Sequence, residues 1–241
     1  MEDFENVIVF DIETTGIDPL KNNIIEIGAL KIKDGKISEV FHELINPEIE
    51  IPHFITNITG ITNEMVKDKP TIEDVVGKFI DFCDSEYIMG HNILFDYKFI
   101  KINASKYKLK FEKQGYDTLH IARKLLKNLP SKKLTDLCEH YQIPHERAHR
   151  ADDDAKVTYE LFLKLKDEFY RENTDVFVSK QMVYKIPKQS NITLKQEKYL
   201  KDLINIHNVD FDRNINLLTK SEASRIIDNI ISKYGYVKKT I

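Results

Sequence analysis

HRADDDAKVTYELFLKLKDEF places three aspartates, Asp152, Asp153 and Asp154, at the start of a helical pattern, just after His149. Acidic residues in a first helical turn offset the partial positive charge there, so a solvated acidic face is one reading of all three. Helical geometry separates them. From about 151 to 168 the apolar residues recur at Ala151, Ala155, Leu161, Phe162 and Leu165, with Thr158 among them. At ~100° per residue these fall on one stripe that should face a core. Asp152 and Asp153 project away from the stripe, and Asp154 projects along it. A carboxylate on a buried stripe is costly unless something pairs with it, and a cation is the first candidate.

Other acids can share that cation. In VIVFDIETT, strand alternation puts Val7, Val9, Asp11 and Glu13 on one face. Two carboxylates therefore stand side by side at the carboxyl end of a central strand, where open α/β sheets favour ligand sites. Bare, they repel and raise a pKa; a divalent cation removes the conflict. In MGHNILFDYKF a strand ends near Met89-Gly90, and Asp96 falls in the first turn or so of the next helix. Four hard oxygen donors with no cysteine nearby suit Mg²⁺ or Mn²⁺ rather than zinc.

The elements that must position these groups follow from periodicity. Residues 7–15 read as a strand apolar on both faces, hence central. Residues 24–47 read as a hairpin turning at Asp34-Gly35. Thr71 caps a helix with apolar residues at 72, 75, 76, 79, 80 and 82. YIMGHN is a short strand, a helix covers roughly 94–105, YDTLHIARKLL passes from strand to helix, and KLTDLCEHYQI is a further helix. Strands first, then helices alternating with short strands, predict an α/β layered domain over residues 1–172. Residues 173–192 are polar, lack a strong period and contain Pro187, which predicts a linker. Residues 193–241 predict a small helical hairpin. Its helices open on the capping boxes Thr193-x-x-Gln196 and Thr219-x-x-Glu222, and the second ends at Gly235.

Bulk composition narrows the class. The chain has 241 residues, is 41% hydrophobic and has a net charge of −3. No run of 18 apolar residues exists and the acidic MEDFENVIVFD has no signal-peptide character, so a cytoplasmic protein with no membrane segment is expected. Cys83 and Cys138 are far apart and form no CxxC, as in reduced cytosolic thiols. Residues 173–241 hold 12 Lys and Arg against 7 Asp and Glu, leaving 24 against 32 in residues 1–172. An acidic body repels nucleic acid unless metal ions neutralise its site. The basic tail offers a contact for DNA or for a polymerase, or merely a soluble helical face.

FDIETTG, HNILFD and HRADDDA, in this order, resemble the three exonuclease motifs of the DEDDh 3′–5′ exonucleases. That family includes the epsilon subunit of bacterial DNA polymerase III and the exonuclease domain within PolC polymerases. ITGITNEMVKDKPTIEDVVGKF and DTLHIARKLLKNLPSKKLTDLCEHYQIP look most like the PolC type, and the resemblance covers about residues 5–170. It implies a ribonuclease H-like mixed sheet flanked by helices, two divalent metal ions, and Asp11, Glu13, Asp96 and Asp154 as their ligands. It also implies His149 as general base, and Thr14, Thr15, Gly16, Thr59, His91, Asn92 and Phe95 as grips on the terminal nucleotides. Many members carry histidine where Thr59 stands; the PolC-type pattern accepts threonine.

The chemistry suits these groups. Phosphodiester hydrolysis needs an activated water and neutralised charge at phosphorus and the leaving oxygen, which two cations ~3.5–4 Å apart supply. Asp11, at the centre of the strand end, is the expected bridging ligand. An unperturbed imidazole, of pKa ~6.5, accepts a proton near neutrality. A pocket closed by the Thr-Thr-Gly turn and the HN–FD segment admits a single-stranded 3′ end, with Ile17 and Phe95 stacking or wedging against bases. The expected substrate is DNA. Trimming of RNA 3′ ends, or a module that binds a strand or polymerase without cutting, remain as rivals.

Overall fold

A computed structural model describes residues 3–85, 87–187, 190–211 and 214–236. Residues 188–189 of the expected linker, and 212–213 and 237–241 of the expected appendage, lie outside the described residues. In chain order the elements are β1 (Val7–Thr14), β2 (Ile24–Lys33), β3 (Lys36–Leu44), α1 (His53–Thr59), α2 (Asn63–Val66), α3 (Ile72–Phe82), β4 (Tyr87–Gly90), α4 (Leu94–Lys106), β5 (Gln114–Asp117), α5 (Thr118–Leu125), α6 (Leu134–His140), α7 (Ala151–Phe169), β6 (Lys180–Gln181), α8 (Leu194–His207) and α9 (Lys220–Tyr234). The strands form one mixed sheet in the order β3-β2-β1-β4-β5-β6. β1 is antiparallel to β2 and parallel to β4; β5 is parallel to β4 and antiparallel to β6.

Central β1 is covered on both sides. Val7 and Val9 pack with Leu137, Val157, Leu161 and Phe162 on the face that carries α6 and α7. Ile8, Phe10 and Ile12 pack with Val75, Phe79, Ile93 and Phe99 on the face that carries α3 and α4. The hairpin turns at Asp34 (φ 50°) and Gly35 (φ 72°), the left-handed pair that a two-residue turn with the twist of its strands requires. Thr71 and Asp74 form the capping box of α3. The short helices α1 and α2 cover a small apolar cluster of Ile25, Ile51, Ile55, Ile61 and Val66.

The chain divides into two compact units, Met1–Tyr184 and Lys185–Ile241. The first runs past the boundary at residue 172 drawn from the sequence. Phe177 is buried beside Phe162 and Tyr170, and β6 extends the sheet along β5. A buried aromatic ring and a strand of two residues leave no periodic signature, so the stretch reads as linker. The second unit has its own core of Leu200, Leu203, Leu218, Ala223, Ile227 and Ile230. Both expected capping boxes are formed there. No helix among the described residues is long and apolar enough to cross a membrane. Cys83 and Cys138 are buried free thiols, each pushed up to about 12 by burial, hence poor nucleophiles.

Candidate active site

The site is built where the carboxyl half of β1 meets the first turns of α4 and α7. Register places Asp11 opposite Gly28 and Glu13 opposite Glu26 of β2. α7 crosses this face with its backbone pressed against the sheet. A side chain at Gly28 would set its Cβ 2.1 Å from the Asp152 amide nitrogen and 2.4 Å from the Ala151 carbonyl oxygen. Only glycine lets the first turn of α7 lie beside Asp11.

The approach to α7 is clamped by Glu26, which is wholly buried. The Arg150 guanidinium donates to it through Nη2 (2.6 Å) and Nε (3.1 and 3.2 Å). The Ala151 amide donates at 3.0 Å, and His42 Nε2 lies 2.8 Å away. Burial pushes the Glu26 carboxyl up, but Arg150, His42 and the Ala151 amide outweigh it and hold the group below its ordinary value. Asp152 and Asp153, which helical geometry points away from the core stripe, bind Arg147 instead: Asp152 accepts from Nη2 at 2.7 Å and Asp153 from the backbone N–H at 3.1 Å.

Asp96 enters from α4. It is 3% exposed, and its Oδ1 accepts the Ile12 N–H at 3.1 Å, between Asp11 and Glu13 on β1. Asp154 is 7% exposed on α7. Its partner is an imidazole: His145 Nε2 stands 2.6 Å from Oδ1, and the His149 backbone adds a hydrogen bond. His149 itself sits at φ 63° and is exposed. That left-handed residue reverses the chain just before α7. A ring nitrogen of His149 and one carboxylate oxygen each of Glu13 and Asp154 lie within 4.8 Å of one another.

Neighbouring acids act on Asp11, Glu13 and Asp96. Burial, then Asp96, Asp154 and Glu13, hold Asp11 well above its ordinary value. Glu13 is pushed up to about 9 by burial, then by Asp154, Glu26 and Asp96. Burial raises Asp96, reinforced by Asp117 and Asp154. Burial raises Asp154, with His145 and His149 opposing. Carboxylates crowded at a low-dielectric strand end are a donor set for hard divalent cations, and the all-oxygen quartet fits that role.

The residues expected to grip nucleotides are placed unequally. Ile17 is 87% exposed, available to meet a base. Phe95 is half-buried against Phe99, with ring centroids 5.1 Å apart. The Thr14 hydroxyl donates to the Gly16 carbonyl at 2.8 Å and the Thr15 hydroxyl accepts the Asn23 N–H at 2.9 Å, so both shape the turn. Thr59 is buried, its hydroxyl bonded to Ile55 and Ile61. His91 uses both ring nitrogens, on Thr118 (2.9 Å) and the Lys132 carbonyl (2.8 Å). Asn92 is exposed at φ 71°, its N–H donating to Asp117. Sequence reasoning missed His145 and the Glu26–Arg150 pair. The IIEIG strand carries one visible signal, an acid amid apolar residues on both faces.

A sheet of this order, with acids from one strand and two helices facing an imidazole, defines a ribonuclease H-like nuclease fold. The chain belongs to the exonuclease family RNase_T, whose profile matches residues 8–162. It is similar to a DNA polymerase III PolC-type protein of Caldanaerobacter subterraneus, 37% identical over 93% of this chain and 17% of that protein. It is similar also to the DNA polymerase III epsilon subunit of Aquifex aeolicus, 35% identical over 68% of this chain and 81% of that protein. The chain spans about a sixth of the PolC-type relatives' length. Among solved structures it resembles Exonuclease X in complex with 5′ overhanging duplex DNA (26% identity, TM-score 0.54, 73% of this chain and 96% of that one). The nuclease domain of 3′hExo bound to rAMP shares the fold (21% identity, TM-score 0.60, 74% and 98%).

Proposed function

We propose that the chain removes nucleotides stepwise from single-stranded or mispaired DNA 3′ ends, by phosphodiester hydrolysis that depends on two divalent cations, Mg²⁺ or Mn²⁺. The observation that carries this is the convergence on Asp11 of Glu13, Asp96 and Asp154, each of which helps to hold its carboxyl above the ordinary value. These four residues would hold the cations, which supply charge neutralisation at phosphorus and activation of the attacking water. His149, exposed beside Glu13 and Asp154, takes the proton from that water on a ring nitrogen. The Glu26–Arg150 clamp keeps the helix that carries Asp154 in register with β1. Ile17 and Phe95 bound the end of the strand, and Asn92 stands at its rim. Buried Thr14, Thr15 and Thr59 and half-buried His91 shape the walls. We propose further that residues 193–235 contact DNA or a polymerase, the latter placing the chain in proofreading.

The test is a time course on 5′-labelled single-stranded DNA and RNA with Mg²⁺, Mn²⁺ or chelator. The expected result is a ladder shortening from the 3′ end of DNA, abolished by chelator and by Asp11→Ala or Asp154→Ala with the fold intact. Shortening of RNA alone would move the reading to 3′-end RNA trimming. Binding without shortening would make the chain a non-cutting module.

A further inference from the structure

Beside the carboxylates opens a cleft of about 760 Å³ that the acid quartet does not explain. Asp154 and His149 line it. Arg123 of α5, and Lys132 and Lys133 before α6, line it too. Among the described residues lining the cleft, Asp154 is the one carboxylate. This cationic wall lies in a body whose residues 1–172 carry more acidic than basic side chains, 32 against 24. The wall is built rather than adventitious. His91 Nε2 donates to the Lys132 carbonyl, and Lys132 Nζ turns back onto the Leu129 carbonyl. That fixes the loop and leaves the exposed side chains of Arg123 and Lys133 lining the opening. Leu119, Pro130 and Leu134 add apolar surface to the same lining.

A terminal nucleotide presents its scissile phosphate at the carboxylates and needs no second cationic strip. Cations spread over two elements suit a ligand with several phosphates in series, and apolar surface in the same lining suits sugars and bases. We propose that Arg123 and Lys133 grip backbone phosphates of the strand that remains after cleavage, so that this cleft is the track of the retained strand. The inference rests on the exonuclease reading and deepens it.

The test compares two substrates: a 5′-labelled single-stranded oligonucleotide, and the p-nitrophenyl ester of thymidine 5′-monophosphate, which has no retained strand. For Arg123→Ala/Lys133→Ala, kcat/KM on the oligonucleotide should fall on the order of tenfold at low salt. The slope of its logarithm against log salt should flatten by about 0.7 for each phosphate contact removed. Hydrolysis of the ester should stay at the wild-type rate. Equal losses on both substrates would assign the wall to the terminal nucleotide or to folding, and unchanged oligonucleotide kinetics would remove it from binding; either overturns the proposal. A wild-type protein inactive on both substrates would sink the exonuclease reading itself, and this inference with it.

Discussion

Asp154 is acidic and buried, and two imidazoles attend it in different ways. His145, 2.6 Å away and largely enclosed, gives the carboxylate the partner that burial demands. His149 is exposed, at a reversal in the chain, and faces both Glu13 and Asp154. If His149 is the proposed base and His145 a strut, the two should respond differently to mutation. His149→Ala should lower kcat by about 10²–10⁴-fold with little change in Mn²⁺ affinity, measured by single-turnover cleavage and calorimetric titration. A loss of Mn²⁺ affinity equal to the loss in kcat would make His149 a ligand rather than a base. At this scale the acids were legible and their surroundings were not. Alternation along β1 and the apolar stripe of α7 are periodic, so they single out Asp11, Glu13 and Asp154 among many acids. His145 lies in HERAHR, a loop without a period, and only the fold brings it to Asp154. The threonines Thr14, Thr15 and Thr59 show the converse. Their positions match a family pattern, but sequence cannot say that each hydroxyl is consumed by its own turn.

Catalytic geometry depends on how α7 is seated. Gly28 permits the close approach, and Glu26 locks it through Arg150 and the Ala151 amide. Removing one partner of a buried ion pair leaves an uncompensated charge, at a cost of about 3–5 kcal/mol. Glu26→Ala should therefore lower the melting temperature by roughly 6–20 °C for a domain of this size and lower kcat as Asp154 drifts from β1. A thermal melt and a cleavage assay check this; an unchanged melting temperature would show that the clamp is not structural. The longer elements were legible because their signals are strong: Asp34-Gly35 for the hairpin, capping residues and 3.6-residue periods for α3, α7, α8 and α9. α1 and α2 escaped because helices this short carry too few periodic positions to stand out.

The whole molecule consists of two units with separate cores. The first should fold and cut DNA without the second, provided the chain is ended after Tyr184. Ending it at residue 172 removes Phe177 and β6, and loss of a buried aromatic side chain alone costs about 3–5 kcal/mol. Chymotrypsin resistance and nuclease rate of the 1–184 and 1–172 fragments compare the two boundaries; equal resistance would favour the earlier one. Weaker oligonucleotide binding by 1–184 than by the full chain would support a recruiting role for the basic unit. The site also leaves a mark on global stability. Burial and the neighbouring acids push Glu13 up from its ordinary 4.5 to about 9, so the folded state prefers the protonated carboxyl. Its stabilising contribution is complete below about pH 4.5 and is lost as pH rises to about 9, because the unfolded chain gives up the proton first. Divalent cations compete with these protons and should restore what deprotonation removes. The melting temperature across that pH window, with and without Mn²⁺, therefore tests the clustering of the four carboxylates most directly. The Mn²⁺-induced rise should be small at the acidic end, grow steadily toward the alkaline end, and vanish in Asp11→Ala. A rise that is absent, or equal at both ends of the window, would contradict it.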